Sequence, residues 1–219
     1  MVDAAPARRP LATRGKAWAQ ALAGALARRR VAPNAISAAS VVCAAGAAAA
    51  LALWTRCHCG GASIILVAAA AGIQLRLLCN LLDGMVAIEG GLRSPTGDLW
   101  NEVPDRIADT LIIAAVGYGI VALPHAIELA WIAALLAMLT AYVRVLGASL
   151  GVPACFHGPM AKPHRMALLT AGCLASAIAN LWIDARWILW GCQAVIALGS
   201  AITALRRLAA IARALRSRA

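Results

Sequence analysis

Apolar positions in this chain come in long unbroken runs, with little of the alternation or amphipathic striping that a water-exposed fold needs. Residues 12–30 (ATRGKAWAQALAGALARRR) are the exception. There Ala, Leu and Trp share a helical face opposite the basic residues, a pattern that predicts an amphipathic helix lying in a membrane interface. Six apolar runs follow, at about Ala35–Trp54, Ala62–Ile88, Leu99–Ala122, His125–Leu150, Met166–Trp182 and Trp187–Leu205. Each is near the ~20 residues that cross ~30 Å of hydrocarbon as a helix. The prediction is an all-α integral membrane protein, with six transmembrane helices preceded by an N-terminal amphipathic interfacial helix. Residues 1–33 read as a basic cytoplasmic or interfacial segment, 34–205 as the six-helix transmembrane domain and 206–219 as a basic cytoplasmic tail. No internal repeat has a fixed period. Small residues such as Ala44–Ala50 and Ala68–Ala71 suit close helix packing.

Composition strengthens the membrane reading. Of 219 residues, 63% are hydrophobic and only 13% charged, with a mean hydropathy of +0.80. Soluble domains run near 45–50% apolar and about 25% charged. Disorder, collagen and a nucleic-acid-binding globule are thereby excluded, despite a net charge of +11. In a membrane protein, basic excess reports orientation and contact with anionic lipid. Seven basic residues lie in 1–33 and five more from Arg206 onward, whereas the short loops at 55–61, 123–125 and 183–186 carry only Arg56 and Arg186. Both termini are thus expected in the cytoplasm. No cleavable signal peptide is expected in the first 33 residues. Trp54, Trp131, Trp182, Trp187 and Trp190 gather near the outer boundary, as an aromatic belt would. The seven cysteines are too few for a disulfide scaffold and read as mostly buried thiols. Cys57-His58-Cys59 lacks a second ligand pair and reads as an exposed turn.

One stretch breaks the apolar rule. Six of the nine acidic residues (Asp83, Glu89, Asp98, Glu102, Asp105 and Asp109) fall between 83 and 109. Ionisable groups at membrane depth are costly and mark function. Asn80 and Asp83 are spaced i, i+3 at the end of the second run, and Asn101 and Asp105 i, i+4 near the start of the third. The two helices, joined by a turn of about ten residues, are expected to be antiparallel neighbours, so that these faces meet. Oxygen ligands from two rigid helices suit a hard divalent ion, Mg²⁺ or Mn²⁺. Gly84 removes a side chain where a bulky ligand could approach the backbone. His157 to Arg165 opens the fifth run on the same side. Its Lys162 and Arg165 are candidates for phosphate oxygens, or are simply positive-inside flanking charge. Arg144, inside the fourth run, is expected to face a cavity.

These residues resemble the signature of the CDP-alcohol phosphotransferases, D-x-x-D-G-x-x-A-R, eight or nine residues, then G-x-x-x-D-x-x-x-D. Asp83, Gly84, Ala87, Gly97 and Asp105 stand in register, with eight residues between Ile88 and Gly97. Val31 to Ser37, which contains Pro33 and Asn34, is similar to the family's P-N-x-[IL]-[ST] motif at the first membrane helix. The resemblance spans nearly the whole chain. It implies a six-helix membrane enzyme of phospholipid synthesis in a bacterial inner membrane, with its site on the cytoplasmic face. Such an enzyme transfers a substituted phosphate from a CDP-alcohol, CDP-diacylglycerol foremost, to an acceptor alcohol and releases CMP with divalent-metal assistance. It also implies metal ligands at Asn80, Asp83, Asn101 and Asp105, with Asp105 the general base. Substrate contacts are implied at Pro33, Asn34, Gly84, Ser94, Lys162 and Arg165. Membrane lipid and a second copy of the chain are the implied partners, and nucleic acid is not one.

Three positions depart from the signature: two of its aspartates are Asn80 and Asn101, and its arginine is Ile88. Formal ligand charge therefore falls from −4 to −2, which predicts weaker metal binding or a single tight ion. Glu102 either supplies a missing carboxylate or faces the cytoplasm. Arg93 or Arg76 are the candidates to replace the arginine. The acceptor stays open, although Lys162, Arg165 and Arg144 suit a phosphorylated one. A catalytically impaired CDP-lipid-binding relative and a small transporter are the alternative readings.

Overall fold

The computed structural model describes residues 15–57, 59–89, 91, 95–153, 156 and 158–218. Expectations placed on Ser94, Arg93, His58 and His157, and on the side chains of Glu89 and Asp98, lie outside the described residues. All regular structure among the described residues is helical. The order is α1 (Ala17–Arg28), α2 (Pro33–Leu53), α3 (Cys59–Glu89), α4 (Gly97–Gly119), α5 (Ala126–Ser149), α6 (Lys162–Ala179) and α7 (Arg186–Arg216), with one 3₁₀ turn at Trp54–Arg56.

Local chemistry sets several of these ends. Pro33 opens α2 and Pro163 lies in the first turn of α6, where a missing N–H costs nothing. Between α1 and α2, Arg30 adopts a left-handed conformation (φ 55°) and Val31 N–H returns to Leu26 O at 3.1 Å, closing the end of α1 as such caps do. Inside α4, Pro104 removes one backbone donor immediately before Asp105.

Helix α2 packs along both α3 and α4 and stands between them, so α3 and α4 touch only sparingly. This corrects the expectation that they are direct neighbours. Long side chains close the gap at one end of the bundle. Helix α5 packs on α4 and α7, and α6 on α3 and α7. The core is made largely of small residues, among them Ala44, Ala47, Ala69, Ala133 and Ala137, with Leu66, Ile112 and Leu189 filling between. Helix α1 lays Ala19 and Ala23 against Leu82, Met85 and Val86 of α3 and leaves Trp18 and Leu22 exposed.

Among the described residues, four helical stretches are long and apolar enough to cross a membrane: Pro33–Arg56, Gly60–Ile88, Ala126–Ser149 and Arg186–Arg216. Helices α4 and α6 fall short of that measure for one reason: they carry the charged residues of the site. Asp105, Asp109 and Arg165 are all buried inside the bundle. Large apolar side chains instead face outward, including Val42, Ile64, Leu135, Leu198 and Leu205. An apolar exterior around a charged interior suits lipid and not water.

Two further positions differ from expectation. Trp54 is only 2% exposed and belongs to the core, so it is no part of an aromatic belt, whereas Trp131, Trp182 and Trp187 are exposed. Helix α7 continues unbroken to Arg216 and buries Arg207 and Ile211, so most of the basic stretch after 205 is helical.

Candidate active site

Six helices bring polar side chains to one end of the bundle, α5 among them through Thr140 and Arg144. The others are the start of α2, the end of α3, the first half of α4, the start of α6 and, behind them, the second half of α7. The end of α3 supplies Arg76, Asn80 and Asp83. One turn separates Arg76 from Asn80, so both side chains leave the same face.

Asp83 is buried, and its carboxylate is held from two sides. Ser37 Oγ donates to Oδ2 at 2.7 Å, and the Gly84 N–H donates to Oδ1 at 2.5 Å. Ser37 belongs to the Pro33–Ser37 motif, and its hydroxyl also reaches Pro33 O at 3.3 Å. The motif that begins α2 therefore positions the second signature residue directly.

Asp105 sits in a denser net. Arg76 Nη2 lies 3.0 Å from its Oδ1 and 3.1 Å from its backbone carbonyl. Lys162 Nζ binds Oδ2, and Arg106 Nη2 stands 3.8 Å from the same oxygen. The Asn80 amide fits between. With its nitrogen toward Asp105 it donates to Oδ1 at 2.8 Å and approaches Oδ2 at 3.3 Å, while its oxygen accepts from Lys162 Nζ at 2.8 Å. That orientation is assigned from the donors and acceptors around it.

A deeper layer supports this one. Asp109 takes Arg76 at 2.7 Å and Arg165 at 3.3 Å. Arg165 is 1% exposed and also donates to Met160 O and Thr140 Oγ1. Its guanidinium is thus committed inward, beneath Lys162. The turn before α6 is anchored on α7, where Met160 N–H donates to Thr203 Oγ1 at 3.0 Å. Gly158 there has φ +134°, a conformation open to glycine, and a Cβ on it would lie 2.7 Å from Thr203 Oγ1. Arg207, also from α7, donates to Thr140 O at 2.6 Å.

At the rim, Glu102 pairs with Arg144 at 2.7 Å and lies 3.7 Å from Arg106. Arg144 therefore faces the bundle end and not lipid, and Glu102 is engaged by cations. Asn34 and Asn101 are partly exposed nearby, and Ile88 is half exposed on the outside. A separate open cleft of about 410 Å³ at the other end, lined by Trp54, Asn180, Asp184 and Arg186, has its one ion pair satisfied internally.

No family model and no curated protein matches the chain. Solved structures do. The phosphatidylinositol phosphate synthase of Mycobacterium tuberculosis with CDP-DAG bound aligns at a TM-score of 0.71 and 20% identity, over 88% of this chain and 92% of that one. The same synthase in complex with manganese and citrate gives 0.71 and 19% identity, over 88% of each chain. Its apo form gives 0.66 and 21%, over 86% and 93%. The chain has the fold of these synthases. They are members of the CDP-alcohol phosphotransferase family that the signature resembles.

Manganese in the synthase makes the donor set here worth weighing. Asp105 and Asp109 face three cations (Arg76, Lys162 and Arg165), and with Asp83 also buried at this end these six charges cancel. Both oxygens of Asp105 are engaged by protein cations. Among the described residues, no three His, Cys, Asp or Glu side chains converge on one point. Two divalent ions would add four positive charges to a neutral, largely dry cluster, and the residues present do not fit such a pair. Asp83 keeps free lone pairs beyond its two hydrogen bonds and can contribute to a single ion of low ligand charge.

Sequence reasoning singled out Asp83, Asp105 and Lys162, and the structure brings them together with Asn80. It missed Ser37 as a partner of Asp83, Thr140 and Thr203 as anchors, and Arg207. Arg76 had been weighed only as a substitute for the signature arginine, but it lies fully buried under Asp105. One signal was available for Arg76 and Arg207: each is an arginine within a long helix otherwise fit to cross a membrane.

Proposed function

We propose that the chain is a divergent CDP-alcohol phosphotransferase that transfers the phosphatidyl group of CDP-diacylglycerol, or another CDP-alcohol, to an acceptor hydroxyl and releases CMP. The supporting observation is the convergence of Asp83, Asp105 and Lys162 at one end of a fold whose solved counterpart carries CDP-DAG. In this reading all six long helices cross the membrane of a bacterial cell and α1 lies at the interface. The site and both termini face the cytoplasm, where the basic ends meet anionic lipid. Pairing of two copies comes with the family reading.

The chemistry follows from charge. Acyl chains stay in lipid while the diphosphate reaches the slightly exposed cations at the rim: Lys162, Arg106 and Arg144. Asp105, held in place by Arg76 and Lys162, accepts the proton of the acceptor hydroxyl. The acceptor oxygen bonds to the lipid-bearing phosphorus as the bond from that phosphorus to the CMP oxygen breaks, and CMP leaves with the electron pair. The proton then passes from Asp105 to solvent. Positioning and preorganised charge supply most of the rate. One Mg²⁺ or Mn²⁺ held by Asp83 and Asn101 would add charge neutralisation on the diphosphate.

Lipid mass spectrometry on the purified protein with CDP-diacylglycerol and a panel of alcohols tests this. A new phospholipid together with CMP is the expected result. Absence of both, with CDP-diacylglycerol still bound, would favour the second reading. That reading is a catalytically impaired CDP-lipid-binding relative, and the amides at Asn80 and Asn101 are the observation on its side. Solute flux in liposomes without any CMP release would favour a transporter.

A further inference from the structure

We propose that the Lys162 ammonium is a resident cation: it occupies the place between Asn80 and Asp105 that a divalent ion would otherwise fill, and neutralises the diphosphate of a CDP-linked substrate there. The proposal rests on the phosphotransferase reading and says which cation that chemistry uses on the α4 side.

Four observations carry it. Lys162 Nζ contacts Asp105 Oδ2 and the Asn80 amide oxygen together, so it bridges α3 and α4 where two oxygen ligands converge. Asn80 is chemically matched to that arrangement. A carboxylate in its place would stand against Asp105 and need a metal ion between them, whereas an amide donates to Asp105 directly at 2.8 Å. Arg76 adds a second fixed positive charge on Oδ1 of the same carboxylate, which leaves Asp105 without the unneutralised charge that a divalent ion requires. Finally, the lysine is positioned by structure and not left to sample. Gly158 and Met160 dock on Thr203, and Arg165 is locked on Asp109 three residues beyond Lys162. The Lys162 side chain retains 18% exposure, so it is not sealed off from a phosphate-bearing ligand.

Asn80 and Lys162 thus act together: the carboxylate lost at position 80 is offset by a monovalent side-chain cation. An ammonium cannot be removed by chelation, so the CDP-binding function on this side of the site does not depend on free divalent ion.

Equilibrium dialysis with Mn²⁺ on the full-length protein in detergent, with CDP-diacylglycerol present, tests the claim. The wild type is expected to hold no more than one Mn²⁺ per chain. The double variant Asn80→Asp, Lys162→Met is expected to hold one more than the wild type. Lys162→Met alone should weaken CDP-diacylglycerol binding in EDTA by about tenfold or more, the size of a lost charge-assisted contact. Two Mn²⁺ on a wild type that binds CDP-diacylglycerol would overturn this inference alone, and so would a folded double variant that gains none. A wild type that binds no CDP-diacylglycerol at any Mn²⁺ concentration would overturn the phosphotransferase reading and this inference with it. If the double variant does not fold, the wild-type stoichiometry decides.

Discussion

Ser37 Oγ donates to Asp83 Oδ2 at 2.7 Å across 46 residues of sequence. This bond ties the start of α2 to the end of α3 and explains why a short motif at residues 33–37 accompanies a signature that begins at residue 80. Asp83 is 4% exposed, so its ionised form depends on the donors it finds. Ser37→Ala removes one of the two, and a hydrogen bond to a buried charged group contributes about 1.5–3 kcal/mol. The expected loss is roughly ten- to hundredfold in kcat/KM, read as CMP release from CDP-diacylglycerol. Ser37→Thr, which keeps the hydroxyl, should retain most of it. Equal loss in both variants would show that the site tolerates no change of shape there and would remove the hydrogen-bond explanation.

Arg76 is fully buried and reaches both Asp105 and Asp109. Arg76→Met leaves two carboxylates to share Lys162 and Arg165. Breaking one partner out of a buried pair costs about 3–5 kcal/mol, and a clear drop in the melting temperature of the detergent-solubilised protein is expected. Adding Asp109→Asn should recover part of that drop, because it removes the uncompensated charge. A double variant less stable than the single one would mean that Arg76 acts by packing and not by charge.

Asp105→Asn separates chemistry from assembly. The amide is nearly the same size but keeps a single acceptor oxygen, so it can accept from Arg76 or from Lys162 and not from both, and it cannot hold the acceptor proton. Losing a positioned general base costs about 10²–10⁴-fold. Turnover is therefore expected to fall by that factor or more, while membrane insertion is unchanged. Asp83→Ala should likewise abolish turnover without preventing insertion. Near-wild-type CMP release from purified Asp105→Asn would remove Asp105 from the proton-transfer role.

Much of this was legible in the chain because hydropathy and chemistry pull in opposite directions. The runs at 35–54, 62–88, 125–150 and 187–205 are apolar enough to declare themselves, and helices are found on each. The cluster from 80 to 109 stood out because six acids in such a chain need a reason. What stayed hidden was which helix lies beside which. The sequence order of α3 and α4 suggested direct contact, but small residues on α2 let it slot between them, and side chains at one end, Arg76, Asn80 and Lys162, bridge the gap. Hydropathy also cannot tell a belt tryptophan from a core one. Trp54 is distinguished by its neighbours and not by its position at the end of a run. Arg165 read as a phosphate ligand because it flanks a membrane helix, but its burial against Asp109 is a tertiary fact.

Glu102 offers a direct test of ligand against surface pair. Its side chain is 42% exposed and pairs with Arg144 at 2.7 Å. Pairs this open to solvent contribute about 0.2–1 kcal/mol. Glu102→Gln is therefore expected to change activity by less than about fivefold and to leave Mn²⁺ affinity unchanged. A loss of metal affinity on the order of 10–100-fold, the size seen on disturbing a metal's coordination, would instead place Glu102 among the ligands and restore the missing carboxylate.

Gly158 tests whether the turn before α6 sets the position of Lys162. Its φ of +134° is strained for any residue with a side chain, and a Cβ would crowd Thr203, which binds the Met160 N–H. Gly158→Ala must therefore either hold about 1–3 kcal/mol of backbone strain or lift the turn off α7. Lifting it moves the first turn of α6, and Lys162 with it, so CDP-diacylglycerol binding should weaken together with thermal stability. Thr203→Ser removes only the methyl and keeps the acceptor for Met160. Combined with Gly158→Ala it relieves part of the crowding without relieving φ. Partial recovery of binding in the pair, measured by titration of CDP-diacylglycerol in EDTA, is the expected outcome. Unchanged binding in Gly158→Ala would show that Lys162 is positioned by Asp105 alone.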